Sequence, residues 1–306
     1  AAFILTAAML TALTAPAFAE TWYIEDGDIT ISAGKDGNDV TQKGETTYGD
    51  KDTVITNHDK DKASSNTVTI EAEDEDDKVE VTLKDVNIDA SSGSEAAVSV
   101  TGKGDTNIEL DGDNELKSGY RHAGLEHNQT VDSEGNVTSG KLTVQDKDNN
   151  GSLDATGGFR GAGIGGGEAQ NGQVTITGGT ITATAGSSSG RFIYGGGSGI
   201  GGGDGGTGVG GNGDVEITGG TITATGVYGA GIGGGRSADG DVTISGGTIK
   251  KAESLSPTDP GGAGIGGGYY GDGRVTITGD AVIEEAQGGI QSCLLYTSPS
   301  PRDSTS

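Results

Sequence analysis

Between Gly161 and Thr184 the chain reads GAGIGGGEAQNGQVTITGGTITAT, where Val174 and Ile176 alternate with Thr175 and Thr177. Further on, Ile181 and Ala183 alternate with Thr180, Thr182 and Thr184. Alternation of β-branched residues with period two predicts strands that bury one face. Gly178-Gly179 separates the two runs and predicts a corner. Gly163-Ile164-Gly165 isolates one apolar residue between residues that tolerate any backbone angle, which predicts a third, very short strand at a tight bend.

Copies of this stretch align on Ile164, Ile200, Ile232 and Ile265, at spacings of 36, 32 and 33 by subtraction, and on Val174, Val215, Val242 and Val275. Such a period marks a solenoid. A helical solenoid needs Leu- and Ala-rich segments of about ten residues at helical spacing, and the chain has none. The pattern therefore predicts an all-β fold, a right-handed parallel β-helix of about six or seven rungs, with Ile164, Val174, Ile176 and Ile181 pointing inward. Each fully buried Ile or Val contributes roughly 1.5–3 kcal/mol, whereas each glycine costs roughly 0.5–1 kcal/mol relative to alanine. One rung cannot stand alone, so the stack must be cooperative.

Fainter copies precede the clear ones. Ala123-Gly124-Leu125 stands where Ala162-Gly163-Ile164 does, Leu142 and Val144 match Val174 and Ile176, and Leu153 and Ala155 match Ile181 and Ala183. Val68 and Ile70, Val79 to Leu83, Val86 and Ile88, Ala97 to Val100, Ile108 with Leu110, and Leu116 supply degenerate rungs. The repeat domain is thus expected over 67–292, after an irregular cap or first rung over 20–66. The run Glu71 to Asp77 is expected as an exposed loop, since its like charges are costly to bury.

Composition changes the picture in two ways. Among 306 residues there are 61 glycines, and 45 acidic against 19 basic residues give a net charge of −26. Nucleic acid and anionic membrane surfaces, both polyanionic, are thereby unfavourable partners. Residues 1–19 read as the apolar and cleavage regions of a secretory signal peptide lacking its charged start, with Ala17-Phe18-Ala19 as the cleavage site, so a secreted or cell-surface location is expected. No later stretch reads as a membrane span. Residues 293–303, CLLYTSPSPRD, resemble a translated sequencing adapter, so 293–306 and the single Cys293 are expected not to be native.

Candidate chemistry is sparse. Asp146, Asp148, Asn150 and Asp154, with Gly151 between, place oxygen ligands at alternate positions as in a calcium loop, although Gly157 stands where that loop carries its bidentate Glu. The competing reading is an Asn-Gly turn between strands. Asn212-Gly213-Asp214 and Asp239-Gly240-Asp241 recur at one repeat position and read as corner turns. Aromatic residues precede the Gly-Ile strands at Tyr120, Phe159, Tyr194 and Tyr228, five, five, six and four residues ahead. Together with Arg121 and Arg160 they form either a structural ladder or an edge that meets sugar rings and acidic glycans. Gly186 to Gly190 and Gly161 to Gly166 match enzyme fingerprints by letter only, because neither leads into a helix.

In the repeats Ala-Gly-Ile-Gly-Gly-Gly and Val-Thr-Ile-Thr-Gly-Gly-Thr-Ile-Thr-Ala, in Gly151-Ser152-Leu153 and over Val79 to Leu116, the chain resembles a family of secreted bacterial β-helix carbohydrate-binding proteins. The resemblance covers about Val68 to Ile290 and implies binding of calcium and of acidic polysaccharides such as pectin. The expected function is a non-catalytic polysaccharide-binding module, with calcium as its candidate cofactor. The alternatives are a structural stalk or adhesin at the cell surface and, less favoured because Arg is scarce, a β-helix polysaccharide lyase.

Overall fold

The computed structural model describes residues 20–187, 195–206, 208–256 and 261–289. Nearly every element is a short strand, and the one helical element among these residues is the 3-10 turn Ile24–Asp26. No helix among them is long and apolar enough to cross a membrane.

The chain winds through three parallel sheets. In the clearest turn, Asn171–Ile176 lies in the first sheet, Thr180–Gly186 in the second and Ile200–Gly201 in the third. Each strand pairs in register with its counterpart one turn on: Val174 with Val215, Ile181 with Ile222, and Ile200 with Ile232. Among the described residues, turns with all three strands begin at Lys78, Asp105, Leu142, Asn171, Gly213 and Gly240. Partial turns flank these six, so the architecture is the parallel β-helix that the residue pattern predicts. Inward columns form one continuous core, in which Ile164, Ile176, Ile200 and Ile232 are fully buried.

The segment from Glu20 to Asn66 continues the stack. Thr21–Tyr23 pairs with Thr53–Thr56 in the first sheet, and Ile29–Ala33 pairs with Val68–Ala72 in the third. The outer edge of Ile29–Ala33 carries the antiparallel hairpin Asn38–Gln42 and Glu45–Asp50. This hairpin covers a sheet edge that would otherwise pair with other chains.

Corners are set by two devices. Gly165, Gly201, Gly233 and Gly266 stack at φ values of 124°, 128°, 129° and 125°. A Cβ on Gly165, Gly201 or Gly233 would run into the carbonyl oxygen of the next glycine in the column. Between the third and first sheets a ladder of Asn and Asp side chains links the turns. The Oδ1 atoms of Asn171, Asn212 and Asp239 accept the backbone N–H of Asn212, Asp239 and Asp272 at 2.8, 3.0 and 2.7 Å. The recurring Asn/Asp-Gly corners are therefore structural rungs.

Gly201→Ala is expected to cost about 3 kcal/mol or more, because both its backbone angle and its contact forbid a side chain. Gly44→Ala, at φ 78° with nothing within 4 Å, is expected to cost only about 1–2 kcal/mol. Equilibrium urea unfolding of the two variants measures the contrast.

Candidate functional site

Asp146 sits at the corner between Leu142–Gln145 and Ser152–Phe159, only 8% exposed. Its Oδ1 accepts the Asn150 N–H at 3.1 Å and its Oδ2 the Gly151 N–H at 3.0 Å, closing the turn around Asn149 at φ 59°. The Asn150 amide also donates to Asp148 Oδ2 at 3.2 Å. Glu109, from the neighbouring strand of the preceding turn, completes the group: Glu109, Asp146 and Asp148 each offer a carboxylate oxygen within 4.8 Å of the others. Glu109 is not silent in the fold, since its Oε1 accepts the Lys147 N–H at 2.6 Å and the Lys147 Nζ lies 3.4 Å from its Oε2.

Of the four expected ligands, the fold brings Asp146 and Asp148 together with Glu109. Asp154 lies on the outer face of its strand, in register with Glu115 and Thr182, and outside the carboxylate group. Partial burial, and then the charge of Glu115, push its carboxyl above the usual range. Asn150 serves as a hydrogen-bond donor to both aspartates. Glu109 was missed because it is remote in sequence and becomes adjacent only through register. The carboxylates adjoin a trough of about 380 Å³ on the first sheet, lined by Lys51, Glu80, Asn107, Glu109, Gln145 and Lys147 among others.

The aromatic edge is arranged differently. Tyr120 and Phe159 stack with centroids 5.5 Å apart and planes 13° from parallel, so each ring turns a face to the other. Arg121 lies 4.9 Å from the Tyr120 ring and Arg160 lies 5.0 Å from the Phe159 ring. Both guanidinium groups pair with Glu168, Arg121 Nε at 2.7 Å from Oε2 and Arg160 Nη1 with Oε1. Two guanidinium groups thus share the one Glu168 carboxylate beside the stacked rings.

Tyr228 does not belong to the aromatic column. Arg121, Arg160 and Tyr228 share left-handed φ values of 76°, 73° and 59°. Their carbonyls accept the N–H of Glu168, Asp204 and Tyr269 at 2.8, 2.8 and 2.9 Å. Tyr228 therefore occupies the arginine position, and buried Val227 stands where Tyr120 and Phe159 do. Its spacing of four residues, against five for Tyr120 and Phe159, carried that signal. Tyr194 lies outside the described residues.

A second column follows the Gly-rich third strands as Glu168, Asp204, Arg236 and Tyr269. Asp204 is fully buried. Its Oδ1 accepts the Gly206 N–H at 2.8 Å. Burial pushes this carboxyl up, opposed by the Gly206 N–H and by the charges of Arg236 and Arg160. Arg236 donates to the Gly206 carbonyl at 2.9 Å and lies 5.7 and 6.0 Å from the Tyr228 and Tyr269 rings. Charges of alternating sign, Arg121, Glu168, Arg160, Asp204 and Arg236, thus run along the loops beside the third sheet.

Next to Arg121, buried Glu126 takes the place that Gly165 holds one turn later. Its Oε2 accepts the Ala123 N–H at 3.0 Å and lies 2.9 Å from His122 Nδ1, while Oε1 accepts from Asn128 at 3.1 Å. The hydrogen bond to Glu126 raises the His122 pKa above its ordinary 6.5. His127, buried between the Val100 and Gly140 carbonyls, is lowered by desolvation.

Glu168→Ala should lower stability by about 1–2 kcal/mol, because it leaves two arginines unpaired at a partly exposed site; thermal and urea unfolding test this. His122 stabilises the fold when protonated, so its contribution is complete below pH 6.5 and fades as pH rises through its elevated folded value. The stability gap between the native protein and His122→Gln is therefore expected to be widest near about pH 5.5 and to narrow toward about pH 8.5. Urea midpoints across that range measure it.

A family model described as "Beta helix repeat" matches residues 149–168, 215–236 and 242–269. No curated protein and no solved structure matches the chain. The matched segments contain the second-sheet strands Ser152–Phe159, Thr221–Val227 and Thr248–Leu255, the corners at Ile164, Ile232 and Ile265, and the ends of the first-sheet strands Gly213–Ile217 and Gly240–Ile244; with the in-register parallel pairing, the chain is a parallel β-helix.

Proposed function

We propose that the protein is a non-catalytic polysaccharide-binding β-helix that works outside the cell, with calcium assisting capture of acidic glycans. The observation that carries the reading is the group Glu109, Asp146 and Asp148 at the margin of a polar trough of about 380 Å³. A chain with net charge −26 repels an acidic polymer. A divalent cation held by protein carboxylates, with coordination positions left for the carboxylates of the polymer, removes that obstacle. The outer face of the first sheet, where Asn107, Thr143, Thr175, Glu216 and Thr243 follow one another in register, offers an amide and hydroxyls, with one carboxylate among them, to a repeating ligand. The resemblance to secreted β-helix carbohydrate-binding proteins supports export and this ligand class.

A catalytic reading draws little support from the same trough, where the cations are Lys51 and Lys147 and the latter pairs with Glu109. The stalk reading has a specific observation in its favour: the arginines at the aromatic edge pair with Glu168 and the Asn/Asp corners bond to neighbouring turns within the fold.

Retention on pectate, cellulose and mucin gels distinguishes these. Retention on pectate with calcium, its loss on chelation and a fall of about tenfold in Glu109→Gln and Asp148→Asn are expected. Asp146 is left intact in this test because it also closes the turn. Retention that survives chelation and both substitutions would remove calcium from the mechanism. Passage through every gel with calcium present would leave the stalk reading.

A further inference from the structure

We infer that Tyr270, backed by Tyr269, is a platform for the apolar face of a pyranose ring. This rests on the polysaccharide reading and adds a contact several turns along the helix from Glu109. The two rings lie 3.8 Å apart with planes tilted by 34°, and Tyr270 is 82% exposed. Tyr269 packs one side of Tyr270 and leaves the remainder of the ring open to solvent.

The ring is held out at a backbone position that does not require it. Tyr270 has a left-handed φ of 65°, and the matching positions of earlier loops, Ala169 at 57° and Ser237 at 58°, carry small side chains. The bend is therefore made without an aromatic, and a tyrosine there adds strain and exposed apolar surface. Its support is rigid: the Tyr269 N–H donates to the Tyr228 carbonyl at 2.9 Å, the Tyr269 carbonyl accepts the Ser237 N–H at 2.6 Å, and Arg236 lies 6.0 Å from the Tyr269 ring. A platform fixed before binding loses little conformational entropy when a ligand arrives.

The surroundings select the occupant. Ser237, Gly271 and Asp272 adjoin the pair in sequence or across the loop, so the apolar area is confined to the rings, a fit for one sugar residue and far below the area of a stable protein interface. The net charge of −26 disfavours a nucleic-acid base as the stacking partner. Asp272, two residues on, belongs to a second trough of about 420 Å³ with Asn212, Asp214, Asp239, Asp241 and Arg274. Carboxylates and amides there accept hydrogen bonds from sugar hydroxyls while the ring face rests on Tyr270.

Affinity electrophoresis in native gels containing polygalacturonate or hydroxyethylcellulose tests the platform with Tyr270→Gly and Tyr270→Trp. Glycine removes the ring and relieves the backbone strain, so the melting temperature should hold or rise. Retardation should weaken about tenfold in Tyr270→Gly and be retained in Tyr270→Trp. Equal retardation of the native protein and Tyr270→Gly overturns the platform and leaves the calcium-assisted reading standing. Absence of retardation of the native protein in both polymers overturns the platform together with the function on which it rests.

Discussion

The strands of the three parallel sheets send their ladder hydrogen bonds to the turns above and below. A turn removed from the stack would leave its N–H and C=O groups to water and its Ile and Val side chains exposed. Stability is therefore a property of neighbouring pairs, which is why near-identical strands recur at the same register. The same constraint explains the glycine content. At the third sheet the chain narrows to an Ile-Gly pair, and successive turns approach so closely that only hydrogen fits beside the carbonyl at Gly165, Gly201 and Gly233.

Polar groups at the corners follow from the same axial stacking. A corner that leaves the sheet exposes backbone donors, and a side chain of an adjacent turn supplies the acceptor. Asn171, Asn212 and Asp239 do this on one edge, and buried Asn114 does it on another by accepting the Val86 N–H at 3.0 Å. Asp146 closes its own turn by the same chemistry. Many acidic and amide side chains that look like ligands in the sequence are thus acceptors for a particular N–H. What remains for function is the set of carboxylates and rings left over after the corners have been satisfied.

The core was legible because a period of two within strands and a fixed set of Ile and Val between copies both report burial. Ile164, Val174, Ile176 and Ile181 fall inside as the alternation requires. The sites were less legible because they are assembled across turns. Glu109 joins Asp146 and Asp148 only after one strand is laid on the next, and no local pattern marks it. Tyr228 looked like an aromatic of the Tyr120 and Phe159 series, yet one residue of drift moved it into the arginine column. Tyr269 and Tyr270 follow the glycine strand and so escaped a pattern defined by what precedes it.

Identical inner columns leave one ambiguity, since a slip by one whole turn would bury the same Ile and Val residues. The loops resolve it. In register, Glu168 lies between Arg121 and Arg160, and Asp204 lies near Arg160 and Arg236. Displacing the outer column by one turn would bring Arg236 toward Arg160 in place of Asp204, like charges in a site where Asp204 is fully buried. Repulsion at such a site exceeds what the unchanged core could recover, because desolvated charges are screened little. Variation between copies therefore does two things at once: it fixes which turn follows which, and it places the few side chains, Tyr270 and Glu109 among them, that a regular repeat alone would not present.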